Sequence, residues 1–338
     1  MPLHSLALLG VGHVGQALAR LLQHKSGELL ADYRIEWRLT GVASRRLGWL
    51  ANPDGLDPWP LLQGGGLTSG TTRCENLRAW FEASGADVLF EMTALNAETG
   101  QPAIDHLRAT LERGMHAITA NKGPIVHAYH ELRDLARARD RRFLFESTVM
   151  DGAPVFSLFR ETLPAARVLR FRGVLNSTTN FILTEIETGR SFEGAVRAAQ
   201  AIGIAETDPS ADIDGWDAAV KVRALATVLM DRPLKPGQVK RQGIRGLSEP
   251  QVRAARAEGR PFKLVCRAEH TADGVAASVR PEQVPADDPL ASVSGTSSLV
   301  HFELDVLPGL TIIEHNPGPE TTAYGLLADF LRAVDVVA

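Results

Sequence analysis

The stretch LLGVGHVGQALARLL, residues 8–22, carries three glycines in the spacing G-x-G-x-x-G. An apolar run precedes the motif and an amphipathic helical pattern follows it, which is the context of a dinucleotide-binding turn. Gly10 would allow the tight turn, Gly12 would let the backbone approach a pyrophosphate, and Gly15 would let helix pack on strand. The first N–H groups of the helix would face the phosphates. The candidate cofactor-binding residues here are Gly10, Gly12, His13, Val14 and Gly15, and the alternative is a glycine turn that binds nothing.

Strand and helix patterns alternate outward from this motif through the first half of the chain. Continuous apolar stretches are typical of buried parallel strands, and amphipathic stretches are typical of the helices that cover them. Strands are predicted at 3–12, 33–44, 86–94, 115–121 and 143–149, and helices at 13–25, 98–114 and 126–142. This alternation predicts an α/β fold whose N-terminal part is a doubly wound parallel sheet of the Rossmann type.

The pattern changes near residue 150. Residues 166–189 predict a strand, a turn and a helix, and strand-like stretches follow at 261–270, 274–284 and 298–307. A second domain of α+β type with a mainly antiparallel sheet is therefore expected. The expected division is a dinucleotide-binding domain at 1–148, a dimerisation and substrate-binding catalytic domain at 149–316, and a C-terminal helix at 317–338 that returns to the first domain. The glycine-rich stretch 61–72 is predicted to be a loop.

The composition is ordinary for a soluble globular protein, since 44% of the 338 residues are hydrophobic, 22% are charged and the formal net charge is −4. This balance argues against a nucleic-acid partner, and the arginine-rich stretch 133–142 has the spacing of a solvated helix face. No apolar stretch approaches the roughly 20 residues of a membrane span, and the N-terminal apolar run is too short for a signal peptide. Cys74 and Cys266 are far apart and fit a reducing compartment. A cytoplasmic protein without a membrane partner is predicted.

The end of the second predicted strand bears on the choice of nicotinamide cofactor. An NAD site usually ends this strand with Asp or Glu, which binds the ribose 2′-hydroxyl. Here the strand ends with Ser44, Arg45 and Arg46 and carries no acid at that place. Because an arginine can pair with a 2′-phosphate, NADP is favoured over NAD. The alternative is that both arginines are simply surface residues.

Lys122 follows the strand in the stretch ITANKGPIV, residues 118–126. Open α/β sheets bind ligands at the carboxyl ends of their parallel strands. Lys122 is therefore expected at the mouth of the cofactor crevice, in a loop held by Gly123 and Pro124. A solvated loop lysine without a function is the alternative.

The segment AETDPSADIDGWDAAVK, residues 205–221, holds five carboxylates directly before an apolar helical stretch. One interpretation is structural: in a helix that starts near Gly215, Asp214 would be the N-cap and Asp217 a capping-box acid. Lys221 does not suit that interpretation, because it lies against the apolar part of the helix and a buried ammonium needs a partner or a function. Acids around such a lysine would hold a cationic amino group, so a catalytic or substrate-binding segment is favoured.

Six motifs resemble the homoserine dehydrogenase family in their order and spacing. They are GVGHVG (10–15), TANKGP (119–124), FESTVMDGAP (145–154), GVLNSTTNFIL (173–183), the acidic segment 205–221 and VSGTSS (293–298). The acidic segment joined to the Asn-x-Thr-Thr-Asn turn is a specific signature. The resemblance implies an enzyme of threonine, methionine and isoleucine biosynthesis that interconverts L-homoserine and L-aspartate 4-semialdehyde with NAD(P). It also implies a homodimer.

The resemblance further implies roles for single residues. Lys221 is implied as the acid/base, and Lys122 as a second catalytic lysine beside the reacting centre and the cofactor. Thr93 and Gly318 are implied to contact the cofactor. The residues implied to bind the substrate or to close its site are Asn176, Thr178, Thr179, Glu206, Asp212 and Asp217.

The chain departs from the family pattern in two places. Many members bind a monovalent cation, Na⁺ or K⁺, through backbone carbonyls of the segment that matches Glu146 and Val149, and glycines follow it. This chain has Met150 and Asp151 there, which weakens the expectation of a cation. Many members also carry a C-terminal regulatory ACT domain, and the form without that domain is expected here.

Two other functions stay open at this point. One is a different NAD(P)-dependent dehydrogenase on the same scaffold, acting on another amino acid or hydroxy acid. The other is a dinucleotide-binding sensor that has lost turnover. The presence of both Lys122 and Lys221 argues against a sensor, because sensing needs no acid/base.

Overall fold

The computed structural model describes residues 2–59 and 69–334. The chain divides into two compact units, Met1–Gly152 with Pro319–Ala338, and Ala153–Gly318. Most of the predicted glycine-rich loop, from 61 to 68, lies outside the described residues. Within the described ranges, no helix combines the length and the apolar character needed to cross a membrane.

The first unit is built on a sheet whose strands are β1 (Leu3–Leu9), β2 (Glu36–Ser44), β3 (Gly48–Ala51), β4 (Thr72–Cys74), β5 (Val88–Glu91), β6 (His116–Thr119) and β7 (Phe143–Leu144). Their order is β4-β3-β2-β1-β5-β6-β7. The five strands from β2 to β7 in that order pair in parallel, and β3 and β4 add an antiparallel edge. The helices of this unit are α1 (His13–Tyr33), α2 (Leu77–Ser84), α3 (Ala103–Glu112), α4 (Lys122–Ala138) and α11 (Pro319–Ala333). The predicted Rossmann-type sheet is confirmed.

Helices cover both faces of this sheet because successive side chains of its strands point to opposite faces. Leu6 and Leu8 of β1 pack in one cluster with Leu18 of α1 and Phe330 of α11. Ala7 and Leu9, which alternate with them, pack in a second cluster with Trp80 and Phe81 of α2. Burial of a large apolar side chain contributes about 1.5–3 kcal/mol, so these two layers hold the strand ends in place.

The last strand of the sheet is shorter than predicted. The pattern at 143–149 predicts a continuous strand, but β7 stops at Leu144 and Glu146–Thr148 forms a 3-10 turn. The hydroxyl of Ser147 donates to the carbonyl of Thr322 at 2.7 Å. Contacts with α11 therefore replace strand pairing at this point. The apolar pattern of residues 143–149 does not predict these contacts.

The second unit contains a sheet in the order β13-β12-β8-β10-β11-β9, antiparallel except for the pair of β9 and β11. Its strands are β8 (Val168–Val174), β9 (Val239–Arg241), β10 (Phe262–Thr271), β11 (Gly274–Gln283), β12 (Ser298–Leu304) and β13 (Leu310–Glu314). Its helices are α5 (Val155–Ser157), α6 (Ser177–Glu187), α7 (Phe192–Ala201), α8 (Ser210–Ile213), α9 (Trp216–Leu229) and α10 (Glu249–Ala257). The predicted α+β domain with a mainly antiparallel sheet is confirmed.

The helix α9 is apolar on most of its surface because it packs against β10 and β11. Its buried residues include Ala218, Val222 and Leu225. The helix α6 also packs against β10, and it follows β8 through the turn at Leu175 and Asn176. The start of α9 and the start of α6 carry most of the side chains predicted to bind substrate.

Candidate active site

The glycine motif forms the turn between β1 and α1. Gly10 has a φ of +98°, and a side chain there would collide with the carbonyl of Met92. Gly15 lies so close to the carbonyl of Gly10 that a Cβ atom would collide there too. At Gly12, the N-cap of α1, a Cβ atom would meet no heavy atom within 4 Å. The backbone at the helix N-terminus is therefore open, as the approach of a pyrophosphate requires.

The first turn of α1 contains no acidic residue. The positive end of its dipole is therefore not offset by a carboxylate of that turn, which favours a bound phosphate. In this turn His13 is exposed and Val14 is partly buried. Gly318, the predicted cofactor residue nearest the C-terminus, directly precedes α11.

Arg45 and Arg46 lie in the turn between β2 and β3, and both are exposed. The N–H of Gly10 donates to the carbonyl of Ala43 at 2.8 Å, which joins the end of β2 to the glycine turn. Rossmann units bind the adenosine ribose at this strand end. Both arginines therefore follow the strand end at which this fold class binds the adenosine ribose.

Thr93 and Asn121 follow β5 and β6, two neighbouring parallel strands. The N–H of Thr93 donates to the carboxyl group of Glu91 at 2.9 Å, and the carbonyl of Thr93 accepts from Nδ2 of Asn121 at 3.1 Å. The two loops at the carboxyl edge of the sheet are thus hydrogen-bonded to one another.

The placement of Lys122 differs from the prediction. Lys122 is the first residue of α4 and not part of a loop, and Asn121 caps the helix by accepting from the N–H of Gly123 at 2.9 Å. Gly123 and Pro124 belong to the first turn, where backbone N–H groups have no partner within the helix and a proline is tolerated. The loop was predicted because both residue types usually interrupt helices. Lys122 itself is partly buried.

In the second unit, Asn176 joins several of the predicted substrate residues. It caps α6, because its side-chain oxygen accepts from the N–H of Thr179 at 2.9 Å. Its Nδ2 donates to Asp212 at 2.7 Å and to Asp217 at 3.1 Å, residues 36 and 41 positions further along the chain. One buried amide group therefore holds two carboxylates of the acidic segment side by side.

The two carboxylates are electrostatically coupled. Burial raises the pKa of Asp212, and the negative charge of Asp217 raises that pKa further. Hydrogen bonds from Asn176 and Thr178 and the positive charge of Lys221 lower it. The pair concentrates negative charge in a partly buried place, which a cationic amino group would stabilise.

Lys221 extends from α9 toward the turn that precedes α6. Its Nζ donates to the carbonyl of Leu175 at 2.7 Å and lies 3.7 Å from the carboxylate of Asp217. Only 16% of its side chain is exposed. The lysine therefore lies at the edge of the carboxylate pair, where its amine could exchange a proton with a bound substrate.

The predicted capping role of Asp214 is wrong. Gly215, with a φ of +79°, is the N-cap of α9, and no side chain caps that helix. Asp214 follows α8, and its carboxylate pairs with Arg245 at 3.0 Å. The carboxylate of Asp217 accepts from Asn176, so it belongs to the polar cluster at the start of the two helices.

The remaining predicted substrate residues differ in exposure. Thr178 and Thr179 are buried, and the hydroxyl of Thr178 donates to the carbonyl of Ile204 at 2.9 Å. This bond ties the start of α6 to the segment just before Glu206. Glu206 is exposed, and among the described residues no hydrogen bond joins its carboxylate to the cluster around Asn176.

The predicted cation residues, Glu146 and Val149, are buried in the first unit. The carboxylate of Glu146 lies 3.9 Å from the guanidinium group of Arg332, whose charge compensates it. The carboxylate of Asp151 accepts from the hydroxyl of Thr322 at 2.7 Å. In residues 2–59 and 69–334, no group of three or more His, Cys, Asp and Glu side chains could hold a metal ion. The predicted cation site, which would use backbone carbonyls, stays a prediction.

Glu91 and Lys263 are among the buried charged side chains that the sequence analysis does not predict. Glu91 ends the apolar strand β5 and is 0% exposed. Lys263 lies in β10, where its Nζ donates to the side chain of Asn180 at 3.0 Å and to the carbonyl of Val293 at 2.6 Å. A charged residue within an apolar strand was the available signal, because its burial is costly unless hydrogen bonds or partners compensate it.

Two family models match the chain. The model described as homoserine dehydrogenase matches residues 154–331, and the model described as homoserine dehydrogenase, NAD binding domain, matches residues 10–146. The chain belongs to the homoserine dehydrogenase family. The resemblance inferred from the six motifs is confirmed, and family membership extends over both units.

Named relatives and solved structures of the family match over nearly the full chain. An NAD(+)-dependent homoserine dehydrogenase of Pseudomonas canavaninivorans is 38% identical over 337 residues, which cover 97% of this chain and 96% of the relative. A putative homoserine dehydrogenase from Archaeoglobus fulgidus has a TM-score of 0.86 at 27% identity and covers 97% of this chain and 98% of its own. A hyperthermophilic archaeal homoserine dehydrogenase in complex with NADPH has a TM-score of 0.83 at 26% identity, with coverages of 100% and 99%.

Proposed function

We propose that the protein is an NAD(P)-dependent oxidoreductase that interconverts L-homoserine and L-aspartate 4-semialdehyde. One observation carries this proposal: Asn176 holds Asp212 and Asp217 together beside Lys221, in a chain of the homoserine dehydrogenase family. Paired carboxylates suit the ammonium group of an amino-acid substrate, and a partly buried lysine beside them suits proton transfer.

In the proposed reaction, the carboxylates of the site bind the substrate and a lysine transfers the proton. Asp212 and Asp217 bind the substrate ammonium group, and Glu206 adds a further carboxylate. In oxidation the neutral amine of Lys221 accepts the proton of the substrate hydroxyl, and in reduction the ammonium form returns it to the aldehyde oxygen. Lys122 stabilises the developing negative charge on that oxygen. The bound nicotinamide supplies the hydride acceptor or donor, so homoserine and NAD(P)⁺ yield the semialdehyde, NAD(P)H and one proton.

NADP is the cofactor that we favour. Arg45 and Arg46 are exposed at the end of β2, where a 2′-phosphate would lie, and the stretch carries no acid for a 2′-hydroxyl. One relative is named NAD(+)-dependent, and one solved relative is described in complex with NADPH. The arginine pair is the feature that supports NADP in this chain.

A homodimer formed through the second sheet is part of the proposal. Helices α6, α9 and α10 each pack against β10 of that sheet. Charged side chains from five of its strands line an open depression on one face: Arg170, Arg172, Lys240, Arg267, Glu269, Arg280 and Glu303. Both signs of charge are present, so the face could complement itself across a two-fold axis. Light scattering should report a dimer, and the double change Arg267→Glu and Arg280→Glu should shift it toward monomer, whereas Arg137→Glu on α4 should not.

A monovalent cation at Glu146 and Val149 and a cytoplasmic location both stay predictions. The cation would have to bind through backbone carbonyls, because the nearby carboxylates are engaged with Arg332 and Thr322. Activity in Na⁺, in K⁺ and in a large organic cation at equal ionic strength would test it. Cell fractionation would test the location.

A steady-state assay tests the proposed reaction. Purified protein is given homoserine with NAD⁺ or NADP⁺, and the appearance of the reduced cofactor is followed. Serine and 5-hydroxynorvaline, which have one carbon less and one carbon more, are the matched substrates. The kcat/KM for homoserine should exceed both by roughly tenfold or more, the usual discrimination for one methylene. Turnover of an analogue alone would indicate a different dehydrogenase, and dinucleotide binding without any turnover would indicate a sensor.

A further inference from the structure

Glu91 is a carboxylic acid at the end of an otherwise apolar parallel strand. It is the last residue of β5, it is 0% exposed, and its predecessors Val88, Leu89 and Phe90 are equally buried. Among the described residues Glu91 forms no ion pair. Burial raises the pKa of its carboxyl group, and hydrogen bonds from Thr93 and Thr119 oppose that effect. A leucine would suit this position better if stability alone decided the residue.

Hydrogen bonds connect Glu91 to both loops at the carboxyl edge of the sheet. One carboxyl oxygen accepts from the N–H of Thr93 at 2.9 Å and from the hydroxyl of Thr93. The other accepts from the hydroxyl of Thr119, the last residue of β6, at 2.7 Å. A single side chain thus holds the ends of two neighbouring strands.

Asn121 closes these bonds into a ring. Its N–H donates to the hydroxyl of Thr119 at 2.9 Å, and its Nδ2 donates to the carbonyl of Thr93 at 3.1 Å. Its side-chain oxygen caps α4, whose first residue is Lys122. The ring of Glu91, Thr93, Asn121 and Thr119 therefore fixes the start of α4 against the loop after β5.

The same loop touches the glycine turn. The N–H of Met92 donates to the carbonyl of Leu9 at 2.7 Å, and the space beside Gly10 is closed by the backbone of Met92 and Thr93. A shift of the segment after Glu91 would therefore move the backbone against which the dinucleotide turn is packed. This contact links the ring to the cofactor-binding residues within one unit.

We propose that Glu91 is a positioning residue of the dinucleotide site, which acts by holding Thr93 and Asn121 through this four-residue ring. The proposal rests on the proposed function, because it assumes that the first unit binds a nicotinamide dinucleotide. Glu91 does not itself touch the cofactor in this role. Its effect is on cofactor affinity and on the productive placement of Thr93 and Lys122, and the binding of homoserine should not depend on it.

Three substitutions test the proposal. Glu91→Leu removes the carboxyl group from an apolar strand, and Thr119→Val removes the hydroxyl on the other side of the ring with little change in shape. Glu91→Gln is the conservative variant, since the carboxamide oxygen can accept from Thr93 and the carboxamide NH₂ can donate to the hydroxyl of Thr119. Thr110→Val is the matched control, because the buried hydroxyl of Thr110 donates to the carbonyl of His106 at 2.7 Å within α3, away from these loops.

The measurements are dinucleotide affinity by fluorescence titration without homoserine, and kcat and KM for each substrate. Glu91→Leu and Thr119→Val should each lower kcat/KM for the cofactor about tenfold or more, and the double variant should be no worse than the poorer single one. Glu91→Gln should retain most of the affinity, and KM for homoserine should stay within about twofold of the unchanged protein. If Glu91→Leu fails to fold, the same measurements on Thr119→Val test the proposal.

Two outcomes would overturn the proposal. The first is a folded Glu91→Leu or Thr119→Val variant whose cofactor affinity and kcat/KM equal those of Thr110→Val. The second is a lowered melting temperature with unchanged kinetics, which would make Glu91 a purely structural residue. Failure of the proposed function is a separate result, because it would appear as a lack of homoserine turnover in the unchanged protein.

Discussion

Nζ of Lys221 lies 3.7 Å from the carboxylate of Asp217, one helical turn earlier on α9, and both side chains are at most 20% exposed. A solvent-exposed pair at this spacing contributes only about 0.3–0.5 kcal/mol. This pair is anchored from outside the helix, since Asn176 donates to Asp217 and Lys221 donates to Leu175. Tertiary hydrogen bonds therefore hold this ammonium and carboxylate in place, and the proposed function assigns them to proton transfer and substrate binding.

Replacement of Lys221 by methionine should remove most of the activity. If Lys221 is the acid/base, Lys221→Met should lower kcat by roughly 10²–10⁴-fold, the usual contribution of a positioned acid or base. Methionine has a similar length and suits the apolar helix, so the fold and the dinucleotide affinity should be retained. Lys235→Met, at an exposed position of the same unit, is the control. A kcat close to that of the control would exclude the proposed role of Lys221.

Asp217→Asn should act mainly on substrate binding. The change keeps an oxygen that can accept from Asn176 but removes the negative charge offered to the substrate ammonium group. Since hydrogen bonds to charged groups contribute about 1.5–3 kcal/mol, KM for homoserine should rise by roughly 10–100-fold. Asp208→Asn changes an exposed acid of the same segment and should have little effect. An equal loss in both variants would mean that the segment responds only to its net charge.

Arg45 and Arg46 should determine the preference for NADP. With both arginines changed to alanine, KM for NADP should rise much more than KM for NAD, because only NADP carries the 2′-phosphate. Arg137→Ala, on the exposed face of α4 in the same unit, is the control for a general loss of positive charge. Equal increases for the two cofactors would show that the arginines do not contact the 2′-phosphate.

Gly12 and Gly15 should respond differently to alanine. A Cβ atom at Gly15 would collide with the carbonyl of Gly10, so Gly15→Ala should lower the melting temperature of the protein without cofactor. A Cβ atom at Gly12 meets no neighbour within 4 Å, so Gly12→Ala should leave that melting temperature unchanged. Its methyl group would occupy the space of the pyrophosphate and should weaken dinucleotide binding. Unchanged binding in Gly12→Ala would place the phosphates elsewhere.

Lys263 should give the stability of the protein a recognisable pH dependence. Burial is the main cause that lowers the pKa of Lys263 from 10.5 to about 8. Between these two values the unfolded chain holds a proton that the folded protein has released, so stability rises with pH across this window, by at most about 1.4 kcal/mol per pH unit. Below pH 8 both states are protonated and the contribution is constant.

The contribution of Lys263 is isolated by subtracting the melting temperature of the Lys263→Met variant from that of the unchanged protein. Other titrating groups contribute equally to both proteins and cancel in this difference. The difference should increase from pH 8 to pH 10, and it should be flat between pH 6 and pH 7. A difference that falls or stays level above pH 8 would show that Lys263 keeps its proton in the folded protein.

The architecture of the first unit was predictable because its signals are local. The alternation of apolar strands with amphipathic helices is visible in windows of about ten residues, and the glycine spacing at 10–15 defines a turn whose geometry depends on neighbouring atoms only. The incorrect predictions are at places where hydrogen bonds in the folded protein override the local sequence pattern. β7 ends at Leu144 because the following residues are hydrogen-bonded to α11. Lys122 is the first residue of α4 because Asn121 caps that helix.

The composition of the acidic site was predictable, and its arrangement was not. Lys221 is identifiable because an ammonium group is costly to bury in an apolar helix, whereas Asn176, Asp212 and Asp217 are assigned to the site by the family resemblance. Only the tertiary structure shows that Asn176 is hydrogen-bonded to carboxylates 36 and 41 residues away. It also shows that Asp214 forms an ion pair with Arg245 and does not cap the helix. Likewise, the ring at Glu91 needs Thr119 from a neighbouring strand 28 residues later. A hydrogen bond depends on distances in space, and sequence separation does not specify those distances until the strands and helices have packed.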